Sequence, residues 1–149
     1  MRVVVQRVEE ASVVVEGKEV GAIKSGFMIL LGVEHDDSEQ DLQWLVKKIV
    51  GLRVFGDGDG KMNLNITDVG GSILLISQFT LHASTKKGNR PSFIKAARPE
   101  HSLPMYNKFI SELRKNNIQV ASGVFGAYMD VSLVNSGPVT IIIDSKNRE

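Results

Sequence analysis

The run Phe27 to Val33 is apolar throughout apart from Gly32, and it is bounded by Gly26 before it and the polar cluster Glu34-His35-Asp36-Asp37 after it. A short apolar run cut off on both sides by turn-forming and charged residues is the pattern of a strand buried on both faces. It places a sheet at the centre of whatever this chain folds into. Upstream, Arg2 to Val15 is crowded with valine, a residue whose branched side chain suits a pleated surface, and Glu16-Gly17 supplies a turn before Lys18 to Ile23. Those two segments predict a hairpin.

Beyond the apolar run the periodicity changes. Ser38 has the character of an N-cap, with Asp41 three residues on, and Leu42, Leu45, Val46, Ile49 and Val50 recur at helical spacing up to Gly51. A short strand is predicted at Leu52 to Phe55, then a loop from Gly56 to Gly60, then a strand at Ser72 to Ser77. Leu103, Tyr106, Phe109, Ile110 and Leu113 give helical spacing to Pro99 through Asn116. Met129 to Val134 and Val139 to Asp144 read as a final strand pair joined by a tight turn at Asn135-Ser136-Gly137-Pro138. The order β-β-β-α-β-β-α-β-β predicts an α+β chain with a mixed or largely antiparallel sheet, not a doubly wound one. With 149 residues and no internal repeat or linker, one domain over residues 1–149 is expected.

Composition removes several kinds of chemistry. Hydrophobic residues make up 42% of the chain and charged ones 23%, the balance of an ordinary globular protein. No apolar run approaches the ~18 residues that span a bilayer, and the opening residues have no leader pattern, so a cytoplasmic protein is expected. There is no cysteine, hence no disulfide, thiol nucleophile or thiolate metal site. His35, His82 and His101 lack ligand spacing, and no metal or other cofactor is predicted. Gly56 to Lys61 resembles a phosphate or calcium loop, but its glycine spacing, Met62 after the lysine and the missing later glutamate leave a flexible loop. His82 lies close to Thr80 in sequence, but two residues apart on a strand they share a face without forming a nucleophile–base pair. A serine-hydrolase triad is not legible.

Two segments resist a purely structural reading. Ser77-Gln78-Phe79-Thr80-Leu81 ends an apolar strand with three hydrogen-bonding side chains in four residues, where each unpaired polar group costs ~1–3 kcal/mol if buried. Either these side chains close a turn on their own backbone or they serve a site. Asn135 to Pro138 is either a plain hairpin turn or a place where a cis X-Pro bond turns two successive carbonyls to one side, ready to accept hydrogen bonds from an ammonium group. A third segment stands out by charge. Although the net charge is only +1, Lys86, Lys87, Arg90, Lys95 and Arg98 are clustered without an intervening acid, as suits contact with a phosphate backbone.

Taken in order, Gln6-Arg7-Val8, Ser77 to Leu81, the basic run Lys86 to Phe93, Gly123 to Met129 and Asn135 to Thr140 resemble the D-aminoacyl-tRNA deacylase family over nearly the whole chain. The resemblance implies a partly barrel-like sheet with two main helices packed outside. It also implies a homodimer with shared active sites at the interface, acting on D-aminoacyl-tRNA. By the family's pattern, Ser77, Gln78, Phe79 and Thr80 form the catalytic segment. Gly137 and Pro138 form a cis dipeptide that enters the partner's pocket, Arg7 holds that dipeptide, and Phe125, Gly126, Ala127 and Met129 line the pocket for the terminal adenosine. Lys86, Lys87, Arg90, Lys95 and Arg98 are expected to meet the acceptor stem. The neighbouring ribose hydroxyl of the tRNA is the leading candidate for the absent base, with Thr80 as a covalent nucleophile the alternative. Rival readings are a catalytically silent tRNA-binding module and a related deacylase with a trans Gly-Pro and relaxed chirality.

Overall fold

The computed structural model describes residues 1–148. Strand β1 (Arg2–Val15) is the spine of the fold, and it turns into β2 (Lys18–Ile23) at Glu16 and Gly17, whose φ values of 49° and 75° are both positive, as a tight two-residue hairpin turn requires. Strand β3 (Gly26–Gly32) is the apolar run that the sequence singles out. It lies antiparallel to the first half of β1 and parallel to β6 (Ser72–Ser77), which in turn runs parallel to β7 (Gln119–Ser122). The sheet order is β2-β1-β3-β6-β7, with β8 (Asp130–Asp144) on the remaining edge of β1. Its two ends nearly meet: a Cβ placed on Gly21 of β2 would lie 2.9 Å from the Ser122 carbonyl of β7. This is a mixed, nearly closed barrel.

Alternation along the strands sorts the apolar side chains into two layers. Phe27, Ile29, Leu31, Ile73 and Leu75 join the larger cluster with helix α1 (Glu39–Val50) and helix α2 (Pro99–Arg114), whereas Met28, Leu74 and Ile76 face the smaller cluster inside the barrel. On β1, Val3 and Val5 belong to the helix side and Val8 to the inner side; Ala11 and Val13 would return to the helix side by strict alternation. They do not, because the pairing with β8 slips between Val8 and Glu10, and a one-residue bulge reverses the parity of everything after it. Helix α1 starts where expected, with the Asp41 carboxylate accepting the Ser38 N–H and hydroxyl, both at 2.8 Å. In α2, Tyr106, Phe109, Ile110 and Leu113 are buried but Leu103 is exposed.

Four expectations need correction. Residues 129–144 do not form a strand pair joined by a turn: β8 is one strand of 15 residues, antiparallel to β1 along its length. Between the pairs Val8–Asn135 and Gln6–Thr140, residues Ser136, Gly137, Pro138 and Val139 stand opposite the single residue Arg7. The Gly-Pro signal therefore marks a wide bulge, after which the chain continues in the same direction because β1 offers it a partner on both sides. The strand predicted at Leu52 to Phe55 shrinks to β4 (Phe55–Gly56), paired with an unforeseen β5 (Met62–Leu64). The short β7 was also unforeseen. Finally, the strand ends at Ser77, so Thr80 and His82 are not strand neighbours; they lie in a 3-10 turn, Phe79–His82.

Candidate active site

The 3-10 turn begins where β6 runs out of partner strand. The Gln78 N–H still reaches the Leu31 carbonyl at 2.8 Å, and then the chain coils, with Leu81 N–H on the Gln78 carbonyl at 3.3 Å and Ala83 N–H on the Thr80 carbonyl at 3.0 Å. Coiling leaves the first N–H groups of the turn, those of Phe79 and Thr80, without partners inside it. Gln78 Nε2 donates to Thr80 Oγ1 at 2.6 Å, which fixes the hydroxyl, and Arg2 Nη1 donates to the Leu81 carbonyl at 2.6 Å from the far side. The bond between the Gln78 and Thr80 side chains thus orders the turn, and Ser77, Gln78 and Phe79, though not Thr80, border a cavity.

That cavity has a volume of about 590 Å³ and is bordered by Ser77, Gln78, Phe79, Phe93, Arg98, Ser102, Tyr106 and the stretch Phe125 to Met129. Aromatic rings form part of its walls beside aliphatic residues such as Leu31, Val33 and Ile76. Phe79 and Phe93 meet edge to face at 5.0 Å and 75°, and Tyr106 lies 5.7 Å from Phe125. Burial pushes the Tyr106 phenol up to about 12, against the opposing effect of a hydrogen bond with Ser122, so the phenol stays neutral and donates to the Leu75 carbonyl at 2.7 Å. Gly123 leaves room for Met129 at the cavity's edge, since a Cβ there would collide with the Met129 sulfur.

The bulge of β8 forms a second polar locus. Its Gly137–Pro138 peptide bond is cis, and both residues are exposed. Arg7 Nε donates to the Ser136 carbonyl at 3.2 Å, Nη1 donates to the Val54 carbonyl, and Nη2 lies where a Cβ on Gly137 would be. Asn135 completes the clamp, giving its amide to the Arg7 and Val139 carbonyls, each at 2.9 Å. Arg7 therefore holds the residue just before the dipeptide and packs on the dipeptide itself.

Within one chain these loci do not merge, for neither Gly137, Pro138 nor Arg7 borders the cavity. The basic residues divide as well. Lys86, Lys87 and Arg90 sit on an exposed loop whose base is a two-way Ser84–Ser92 backbone pairing, Lys95 is exposed, and Arg98 borders the cavity at the start of α2. Among the described residues, no group of three His, Asp or Glu side chains is placed to hold a metal ion, and no helix is long and apolar enough to cross a membrane. Sequence reasoning gave no role to Arg2 or Ser102, named Phe93 and Asn135 only within longer runs, and read Tyr106 only as a residue of the apolar helix face. Arg2, Ser102 and Asn135 act through main-chain contacts made by folding.

The family model described as D-Tyr-tRNA(Tyr) deacylase matches residues 4–144. A D-aminoacyl-tRNA deacylase from Phocaeicola vulgatus is 59% identical over 100% of both chains. Among solved structures, one described as c-Myc DNA Unwinding Element Binding Protein is 42% identical, with a TM-score of 0.91 over 97% of this chain and 98% of its own. Another, described as a probable eukaryotic D-amino acid tRNA deacylase, shares the fold at 16% identity, with a TM-score of 0.81 over 95% of this chain and 97% of its own. From residue 4 to residue 144, then, this chain belongs to the D-Tyr-tRNA(Tyr) deacylase family.

Proposed function

We propose that the chain hydrolyses the ester linking a D-amino acid to the end of its tRNA, and that it does so with main-chain groups contributed by two copies of itself. As a member of its family it is a D-aminoacyl-tRNA deacylase, a carboxylic ester hydrolase. The observation that carries the two-copy reading is the separation described above: Gly137 and Pro138 are exposed on a bulge clamped by Arg7, yet they do not border the cavity of their own chain. A second protomer that inserts its dipeptide opposite the Phe79–Thr80 turn completes a site that one protomer leaves open.

In that site water attacks the ester carbonyl carbon, the carbonyl oxygen takes up negative charge, and the acyl C–O bond breaks. The ribose oxygen of the tRNA leaves with a proton, and the free D-amino acid is released. The N–H groups of Phe79 and Thr80 are suited to the developing oxyanion, a role in which fixed main-chain donors lower barriers without reorganising. No side-chain base is needed beside an activated ester, and the neighbouring ribose hydroxyl fills that role. Thr80 positions: its hydroxyl is held by Gln78, and His82 is buried while Thr80 is exposed, so nothing deprotonates it. The aromatic cavity, with Phe125, Gly126, Ala127 and Met129 on one wall, suits the terminal adenine. Lys86, Lys87, Arg90, Lys95 and Arg98 hold the acceptor stem, and the compartment implied is that of tRNA, the cytoplasm.

Handedness follows from geometry. With the ammonium on the Gly137 and Pro138 carbonyls, the ester carbonyl at the turn and the α-hydrogen fixed, the fourth direction from the α-carbon is determined. A D side chain leaves towards solvent and an L side chain runs into the two carbonyls, so exclusion is steric. Glycine has nothing to exclude. Glycyl-tRNA is therefore expected to be cleaved at enzyme levels that clear D-tyrosyl-tRNA, and glycyl-tRNA left intact there contradicts the proposal.

A further inference from the structure

The turn that presents the Phe79 and Thr80 amides ends on His82, whose imidazole has no part in the hydrolysis described above. The residue is 4% exposed, and among the described residues neither ring nitrogen has a hydrogen-bond partner. Nδ1 nevertheless lies 3.0 Å from Glu34 Oε1, in close contact with the carboxylate but off the line that a hydrogen bond demands. The ring is pressed onto the end of β3: a Cβ on Gly32 would stand 2.9 Å from His82 Nε2 and 3.0 Å from the Gln78 carbonyl oxygen. Gly32 thus lets both the imidazole and the start of the turn settle against the same backbone.

Burying a polar ring without a hydrogen bond costs about 1–3 kcal/mol, and an apolar side chain of similar volume would fill the space without that cost. Packing alone does not account for a histidine here. Its partner is held firmly, since the Glu34 N–H donates to Asp37 Oδ2 at 2.6 Å and Glu34 pairs with Ala96 through the backbone. The other charged side chain gripping the turn is Arg2, which reaches Leu81 while its remaining donors meet Asp144 Oδ2 at 2.8 and 2.9 Å. The turn is therefore pinned at Leu81 by Arg2 and at its last residue by the contact of His82 with Glu34.

We propose that His82 is a positioning residue whose contact with Glu34, seated on Gly32, keeps the Phe79 and Thr80 amides aligned on the developing oxyanion; the inference rests on the main-chain reading of hydrolysis given above. Three variants test it. His82→Leu keeps the volume and removes the polar edge, Glu34→Ala removes the partner, and His82→Asn restores a nitrogen where Nδ1 stood. With D-tyrosyl-tRNA, His82→Leu and Glu34→Ala are expected to lower kcat about tenfold, or ~1.4 kcal/mol, with KM changed by less than about twofold. His82→Asn recovers most of the loss. The inference is overturned if folded His82→Leu and Glu34→Ala keep the wild-type kcat, if the loss falls equally on KM, or if His82→Asn recovers nothing. Should His82→Leu fail to fold, kcat of Glu34→Ala decides alone. A wild-type protein inactive on D-tyrosyl-tRNA removes the hydrolysis reading itself, whereas an active wild type with unaffected variants removes only this inference.

Discussion

Replacing Gly137 with alanine should cost this protein more than any other change of a single methyl group at its surface. The residue has φ of 114°, a region where an L side chain is strained by roughly 1–3 kcal/mol. The new methyl would also collide with the Arg7 guanidinium and stand 3.2 Å from Val139 Cγ2. If Arg7 yields, its 3.2 Å bond to the Ser136 carbonyl is lost; a charge-assisted bond contributes about 1.5–3 kcal/mol, and this length argues for the lower end. Together the two effects predict a loss of about 2.5–4.5 kcal/mol. Urea unfolding of Gly137→Ala and wild type, compared at one protein concentration because association shifts apparent stability, should show a lower midpoint with an unchanged slope. Deacylation of D-tyrosyl-tRNA should fall in parallel. A stability change below about 0.5 kcal/mol with full activity would refute the claim that Arg7 and Gly137 fit one conformation only.

Other expectations follow from the same geometry. Burial opposes ionisation of Asp41, but hydrogen bonds from the Ser38 N–H and hydroxyl, and from Ser145 and Lys146, outweigh it and hold this carboxyl well below its ordinary value of 3.8. Because the folded value is the lower one, the stabilisation is fully present above the ordinary carboxylate range and is lost as pH falls below it. Asp41→Asn should therefore cost about 1–3 kcal/mol at neutral pH, with the gap closing below about pH 4 in acid titrations of stability. Reversing charge at Lys86 and Lys87 should raise KM for aminoacyl-tRNA and flatten its salt dependence, leaving kcat within about twofold. Thr80→Ala should reduce turnover only modestly; abolished turnover with intact substrate binding would assign the hydroxyl to attack instead.

Much of the fold was legible because local chemistry and burial agreed. The apolar Phe27 to Val33 run, the Glu16-Gly17 turn and the Ser38–Asp41 helix start each announce themselves through nearby residues alone. Where the sequence misleads, a distant partner decides. Gly137-Pro138 looks like the end of a strand, but β1 continues beside it and draws Val139 to Asp144 onward as the same strand. Gln119 to Ser122 is too short to declare itself and becomes a strand because β6 offers a parallel edge. The candidate site residues divide likewise. Ser77 to Thr80 and the dipeptide stand out in sequence and Arg7 enters through the family resemblance, whereas Asn135 and Arg2 act by gripping carbonyls whose positions exist only in the folded chain. His82 was recognisable as a residue type but not as a buried group, because its burial depends on the absence of a side chain at Gly32.

The most direct measurement pairs D-tyrosyl-tRNA with L-tyrosyl-tRNA, presented separately to the purified protein with no metal added, and follows release of the amino acid. Release from the D substrate while the L substrate persists at the uncatalysed rate is the predicted result. Cleavage of both hands at similar rates, or of neither, contradicts a steric filter made of main-chain carbonyls.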